Sequence, residues 1–179
     1  MFTIDRSVLL LIDVQGRLAQ LMHEKESLFE SIRIMIQSMQ ILGVPILWME
    51  QIPKKLGRTH EGISQLLPDQ TPIEKSSFSC CNDPMFMERF NQLNRDQVLL
   101  TGIETHICVC QTGIGLIENK CKVQVVTDCV SSRTKANKEI GIRRLTQEGA
   151  RVTSLEMVLF ELLGDAKADS FRQIARLIK

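Results

Sequence analysis

The apolar and polar positions of this chain alternate between two kinds of segment. Short, nearly continuous apolar runs have the length and β-branched content of strands buried on both faces. They are "SVLLLIDV" (7–14), "VPILWME" (44–50), "DQVLLTGI" (96–103), "CKVQVVTD" (121–128) and "ARVTSL" (150–155). Between them, apolar residues recur every three or four positions. Residues 26–42 carry Leu28, Ile32, Met35, Met39 and Leu42 on one stripe, and Gly43 follows where a helix would stop. Residues 83–93, 105–119, 134–148, 155–163 and 166–178 read as further helices. Residues 51–72, punctuated by Pro53, Gly57, Gly62, Pro68 and Pro72, form an irregular excursion with one short helix at 60–67. "PIEKSSF" is a short extended piece. Strands separated by helices predict a parallel sheet covered on both faces. Ligands of such sheets bind beyond the carboxyl ends of the strands. The residues there are Asp13, Gln15, Glu50, Gln51, the turn 102–108, and Asp128 to Arg133.

Composition narrows the picture. The 179 residues fit one domain, 1–179, with 44% hydrophobic and 24% charged residues. A net charge of +1 gives no broad reason to expect nucleic acid or an anionic membrane as partner. The short basic stretch "IPKKLGR" reads as a solvated loop. No run approaches the roughly 18 apolar residues of a membrane span. "SVLLLIDV" is too short, and ends at an acid, so it is read as a strand and not a signal sequence. The expected location is cytoplasmic. Six cysteines without a secretion signal are expected to be reduced, and no zinc-type spacing links them.

Three residues bear on chemistry. Asp13 ends the first strand after an apolar run, where partial burial raises a carboxyl pKa toward that of a general base. Lys75 sits between Ile73 and Phe78 in a segment that faces inward. Cys108 follows the turn at Gly102 and falls in the first turn of the next helix, where free amides and the helix dipole are expected to lower a thiol pKa. All three converge on one edge of the sheet. His106 is two residues from Cys108, so the two point in different directions on a helix; it is read as a pocket residue. Cys110, Cys121 and Cys129 read as small buried hydrophobes, Trp48 as core, and His23 and His60 as surface. Cys80 and Cys81 have no assigned role.

With "LLLIDVQ" (Asp13, Gln15), "EKSSFS" (Lys75) and "GIETHICVCQT" (Cys108) in this order, the chain resembles the isochorismatase-like hydrolase family. These are the cysteine hydrolases that include the nicotinamidases. The match runs from residue 7 to about 160, and "MEQIPKKLG" is similar to the small isochorismatase-domain proteins. The resemblance implies an α/β, three-layer αβα fold around a central parallel five- to six-stranded sheet. It implies a catalytic triad of Asp13, Lys75 and Cys108, a cis peptide at Ile103–Glu104, and an oxyanion hole from the Glu104 and Cys108 amides. It implies hydrolysis of a small-molecule amide C–N bond through a thioester. Gln15, Gln51, Phe78 and His106 are candidates for the substrate pocket, with Gln15 alternatively orienting Asp13 or capping its strand. Nicotinamidases bind a metal with an aspartate and histidines after the second strand. This chain has Glu50-Gln51-Ile52-Pro53 there, so no metal or other cofactor is expected and nicotinamide is disfavoured. Glu104 is expected near the pocket mouth, repelling anionic substrates, and Arg133 is expected to pair with Asp128 or its loop. A homo-oligomer is expected, with "SLEMVLFELLG" as one candidate contact surface. Two alternatives remain: a catalytically idle interaction subunit, and a redox-responsive thiol protein.

Overall fold

The structure, a computed structural model, describes residues 1–178. In chain order the elements are β1 (Ser7–Ile12), α1 (Gly16–Ala19), α2 (Lys25–Leu42), β2 (Ile46–Gln51), α3 (Pro53–Leu56), α4 (Glu61–Ser64), β3 (Ile73–Lys75), α5 (Pro84–Gln92), β4 (Gln97–Ile103), α6 (Cys110–Glu118), β5 (Lys122–Ser131), α7 (Lys135–Gln147), β6 (Arg151–Thr153), α8 (Leu155–Leu163) and α9 (Phe171–Leu177). A 3-10 turn at Cys80–Asn82 precedes α5, and a π-helical turn at Thr105–Val109 leads into α6.

The six strands form one sheet in the order β3-β2-β1-β4-β5-β6, and every neighbouring pair is parallel. The strand order reverses between β1 and β4, and in open α/β sheets the crevice at such a reversal is where ligands bind. Alternate side chains of each strand feed two cores. Leu9, Leu11, Trp48, Leu99 and Val126 pack with the stripe of α2 and with Val158, Leu159 and Leu162 of α8. Val8, Leu10, Met49, Val98, Leu100 and Val125 pack on the other face with Phe86, Phe90, Leu116 and Leu145. The sheet is therefore the middle of three layers, and β1 and β4 are buried along their whole length.

The pattern of apolar positions places the strands to within a few residues. It misses α1 and α3, each a single turn, and overextends the 60–67 helix, which is α4 alone. The expected helix over 105–119 is divided, because Val109 donates its amide to the Glu104 carbonyl, five residues back. The last helix begins at Phe171, not 166.

Two glycines have positions no other residue fills without cost. Gly102 of β4 has φ +112°, and a Cβ there would lie 2.0 Å from the carbonyl oxygen of Ile12. The main chains of β1 and β4 thus touch at the reversal. Gly43 ends α2 in the left-handed conformation (φ +68°), while Val44 donates its amide to Met39. No atom lies within 4 Å of a Cβ added at Gly43, so Gly43→Ala meets no clash and pays only for conformation. We expect it to lower unfolding free energy by about 1 kcal/mol with an unchanged denaturant slope, as measured by urea titration. Among the described residues, no helix is long and apolar enough to cross a membrane.

Candidate active site

β1 delivers Asp13 to the reversal point. There the backbone leaves the sheet with φ +52°, and the Asp13 amide donates to the Met49 carbonyl of β2. β3 is three residues long, with Ile73 and Lys75 turned inward and Glu74 outward. Its last residue pairs in register with Gln51 at the end of β2. β4 ends at Ile103, the Ile103–Glu104 peptide is cis, and the π turn that follows carries Cys108. Four strand ends thus bring Asp13, Gln51, Lys75 and Cys108 together.

The Lys75 ammonium, its side chain 0% exposed, donates to Asp13 Oδ2 at 2.7 Å. It also lies 3.1 Å from Gln51 Oε1, 3.1 Å from the Ser77 carbonyl and 3.3 Å from the Phe78 carbonyl. The Cys108 thiol donates to the same Gln51 Oε1 at 3.2 Å. Asp13 Oδ1 is buried and takes no hydrogen bond.

Burial dominates the electrostatics. It raises the Asp13 carboxyl above the usual carboxylate value, with the Lys75 ammonium pulling the other way. Burial, the largest single influence, pulls Lys75 toward neutrality, but Asp13 together with Cys80 and Cys108 outweighs it and holds the ammonium above the ordinary lysine value. The 2.7 Å contact is thus where each group's charge favours the other's against the pull of burial. The Cys108 thiol is pushed up to about 12, by burial first and the Asp13 charge second, against the pull of Lys75. This reverses the lowered thiol pKa expected from a position at a helix N-terminus. The sulfur is 7% exposed and faces a carboxylate, and both effects exceed that of a helix dipole at a single π turn. In the resting site the sulfur keeps its proton.

The other candidates divide. Gln51 is in the site. Gln15 is nearby but spent: its Nε2 donates to the carbonyls of Gln51 (2.9 Å) and Gly57 (2.7 Å), and its Oε1 accepts from the Gln51 amide (2.7 Å). Its side chain makes no bond to the Asp13 carboxyl, although its backbone amide donates to the Asp13 carbonyl at 2.8 Å; the side chain clamps the end of β2. Phe78 contributes its carbonyl, while the residue is 54% exposed. His106 turns its Nδ1 to Ser132 Oγ at 3.0 Å and makes no bond to Cys108.

Glu104 is buried, and its Oε1 accepts from both the backbone amide (3.1 Å) and Nε (3.0 Å) of Arg133. The acid expected at the pocket mouth is thus a buried carboxylate paired with an arginine that is half exposed. The expected Arg133–Asp128 pairing is absent for the same reason, and Asp128 instead accepts from the Leu155 amide at 2.8 and 3.1 Å. Two further residues were not foreseen. Cys80, fully buried, lies within electrostatic reach of Lys75. His60 is no surface residue but stacks on Phe29, ring centroids 4.4 Å apart.

After β2, the position that holds a metal in nicotinamidases is filled by protein partners. Glu50 accepts from the Thr59 amide (2.6 Å), Thr59 Oγ1 (2.8 Å) and Arg58 (2.9 Å), and Trp48 Nε1 donates to Thr59 Oγ1 (2.8 Å). With its lone pairs so engaged, Glu50 is a structural carboxylate. Among the described residues no group of three or more His, Cys, Asp and Glu is placed to hold a metal ion.

Comparison with known proteins agrees with this architecture. The secreted isochorismatase effector Isc1 of Phytophthora sojae is 36% identical over 179 residues, covering 97% of this chain and 84% of the relative. The structure of MAR1 ribonuclease from Caenorhabditis elegans superposes with a TM-score of 0.92 at 32% identity, covering 99% of this chain and 91% of that one. YcaC of Escherichia coli, an octameric hydrolase of unknown specificity, shares the fold with a TM-score of 0.93 at 20% identity, covering 99% and 88%. The model of the isochorismatase domain matches residues 7–157. With that span taking in all six strands and the whole Asp13–Lys75–Gln51–Cys108 cluster, the chain belongs to the isochorismatase family.

Proposed function

We propose that this chain is a cysteine hydrolase that cleaves an amide C–N bond in a small, uncharged molecule, with Cys108 as nucleophile, Asp13 as proton carrier and Lys75 as the cation that keeps Asp13 ionised. The observation that carries the reading is the buried ammonium shared between Asp13 Oδ2 and the Gln51 oxygen to which the thiol is bonded. A structural ion pair has no need of a thiol beside it.

The raised thiol pKa sets the order of events. Ionising Cys108 at pH 7 before substrate binds costs about 7 kcal/mol, so proton transfer accompanies attack. The S–H bond breaks, an O–H bond forms at Asp13, and Sγ adds to the carbonyl carbon. The carbonyl electron pair moves onto oxygen, which the Glu104 and Cys108 amides receive; one such donor is typically worth about 2.7–4 kcal/mol. Collapse breaks the C–N bond, and the departing amine takes the proton from Asp13. Asp13 then removes a proton from water as its oxygen attacks the thioester, and sulfur leaves with that proton.

The protonated resting thiol also speaks against a redox-responsive role, because peroxide oxidises the thiolate. The nematode relative is named a ribonuclease; a net charge of +1 gives this chain little general attraction for a polyanion, and RNA is a control in the assay. The assay is ammonia release over primary amides and carbamates, with hydroxylamine added to intercept the acyl-enzyme. At least one amide should give hydroxamate along with acid. Failure of every amide, carbamate and ester to react would sink the reading.

We also infer that copies of the chain associate. Leu155, Val158, Leu159 and Leu162 of α8 are buried in their own subunit, while Met157 and Phe160 of α8 and Val152 of edge strand β6 are exposed. The related fold of YcaC is octameric. Sedimentation should give a mass above one chain, and Met157→Glu should lower it.

A further inference from the structure

The Lys75 ammonium has three hydrogens but four acceptors, Asp13 Oδ2, Gln51 Oε1 and the Ser77 and Phe78 carbonyls, all within 3.3 Å. One acceptor is therefore surplus to the ammonium. Gln51 Oε1 has a second donor, the Cys108 thiol, at 3.2 Å. The Asp13 carboxylate is also within hydrogen-bonding reach of that thiol, and its Oδ1 is buried with no donor in hydrogen-bond geometry. A carboxylate is a stronger acceptor than an amide oxygen, so Gln51 and Asp13 compete for one thiol hydrogen. The Gln51 side chain cannot drift away. Its backbone amide is held by Gln15 Oε1 at 2.7 Å, and its Nε2 donates to the Ser76 carbonyl at 3.3 Å, so the amide oxygen is turned toward sulfur and ammonium.

We propose that Gln51 is a positioning residue that parks the thiol hydrogen, its Oε1 keeping that hydrogen off Asp13 Oδ1 until substrate enters. Release is a rotation about the Cβ–Sγ bond and breaks no covalent bond. Only then does the S–H bond break, as the O–H bond forms at Asp13. The device holds the nucleophile in its unreactive form whenever the site is empty. This inference rests on the reading of Cys108 as nucleophile.

The charged groups that act on the sulfur are Asp13 from the end of β1, Lys75 from β3, and Glu104 from the end of β4; Glu104 is itself paired with Arg133. Gln51 is the neutral member of the set, so its replacement changes the hydrogen-bond partner without changing the charge. Gln51→Leu removes the parking acceptor and leaves Lys75 with three acceptors for three hydrogens. Gln51→Glu keeps an oxygen at the same place and adds a negative charge.

The test is the rate of Cys108 carboxamidomethylation by iodoacetamide between pH 6 and 10. It is read on the tryptic peptide 96–120, which contains Cys108 and Cys110, by fragment mass spectrometry. In the native protein the rate should still be rising at pH 10. The Leu variant should shift the profile to lower pH by about one unit, raising the rate at pH 7 about tenfold. The Glu variant should shift it the other way. Unmoved profiles, shifts of the same sign in both variants, or no reaction at Cys108 in any of the three proteins would overturn the proposal. If the Leu variant fails to fold, Gln51→Met, which keeps the length of the side chain and also lacks the acceptor, takes its place with the same expected shift. Alkylation needs no turnover, so the two ideas fail separately. A chain inert to every amide but with opposite shifts loses the hydrolase reading alone. A chain that hydrolyses amides with unmoved profiles loses only the role of Gln51.

Discussion

Cys108→Ala should release no ammonia above background from any amide the native chain hydrolyses, a fall of about 10⁴-fold or more in kcat, while its melting temperature stays within a few degrees of native. The reason lies in how little else the thiol does. The acceptors within its reach, the Gln51 amide oxygen and the Asp13 carboxylate, both also receive a hydrogen from Lys75, so neither residue is left without a donor when the thiol is removed. The side chain loses a single sulfur atom from a position at the margin of the core. Cys108→Ser separates nucleophilicity from hydrogen bonding. The hydroxyl preserves the bond to Gln51 but ionises even less readily than the thiol, so activity should fall nearly as far. An alanine variant that still turned over substrate and still gave hydroxamate would move the nucleophile elsewhere, with Cys80 the nearest alternative.

Lys75→Met should abolish activity and also destabilise the fold, by about 3–5 kcal/mol at pH 8, because it leaves the buried Asp13 carboxylate without its partner. The pH dependence identifies the cause. The folded-state pKa of Asp13 is already raised in the native chain, and losing the lysine raises it further. A carboxyl whose folded pKa exceeds its unfolded value binds more protons when folded, so its cost is absent below about pH 3.8 and grows as pH rises through the folded pKa. The native chain carries the same term in smaller measure, because the Lys75 charge holds the Asp13 pKa below the value it would reach without the lysine. Lys75 does not titrate in this range, since its raised pKa places its own loss of charge above the ordinary lysine value. The difference in unfolding free energy between native and Lys75→Met should therefore be largest at pH 8 and shrink steadily toward pH 4, as measured by urea titration at each pH. A constant difference across that range would mean the lysine acts through packing of its aliphatic stem and not through charge.

Much of this was legible in the chain itself. Continuous apolar runs ending in a polar residue located the strands and placed Asp13 and Cys108 beyond their carboxyl ends. The inward position of Lys75 followed from its flanking Ile73 and Phe78, although Phe78 itself turned out to be exposed. What was hidden had specific physical causes. The π turn uses residues equally at home in an α-helix, and one extra residue in a turn leaves no mark on a periodicity. The thiol pKa was misjudged because a sequence can show a helix end but not how deeply it is buried, and here desolvation and Asp13 outweigh the dipole. Glu104 and Arg133 are 29 positions apart in the chain and meet only through the closure of β4 against β5. Gln15 and Gln51 were both visible as strand-end polar residues. Only coordinates distinguish the one saturated by three main-chain bonds from the one whose oxygen remains shared between a cation and a thiol.

The contact of Gly102 with the Ile12 carbonyl carries a lesson for anyone wishing to re-engineer this scaffold. The strands bearing acid and sulfur abut through bare main chain, with no side chain interposed as a spacer. That seam fixes the strands but not the turn beyond them: Gly141 of α7 lies against the main chain of Thr105 and His106, where an added Cβ would come within 2.7 Å. Surgery on the flanking helices has two bare spots to respect, Gly102 for the spacing of the strands and Gly141 for the seat of the sulfur.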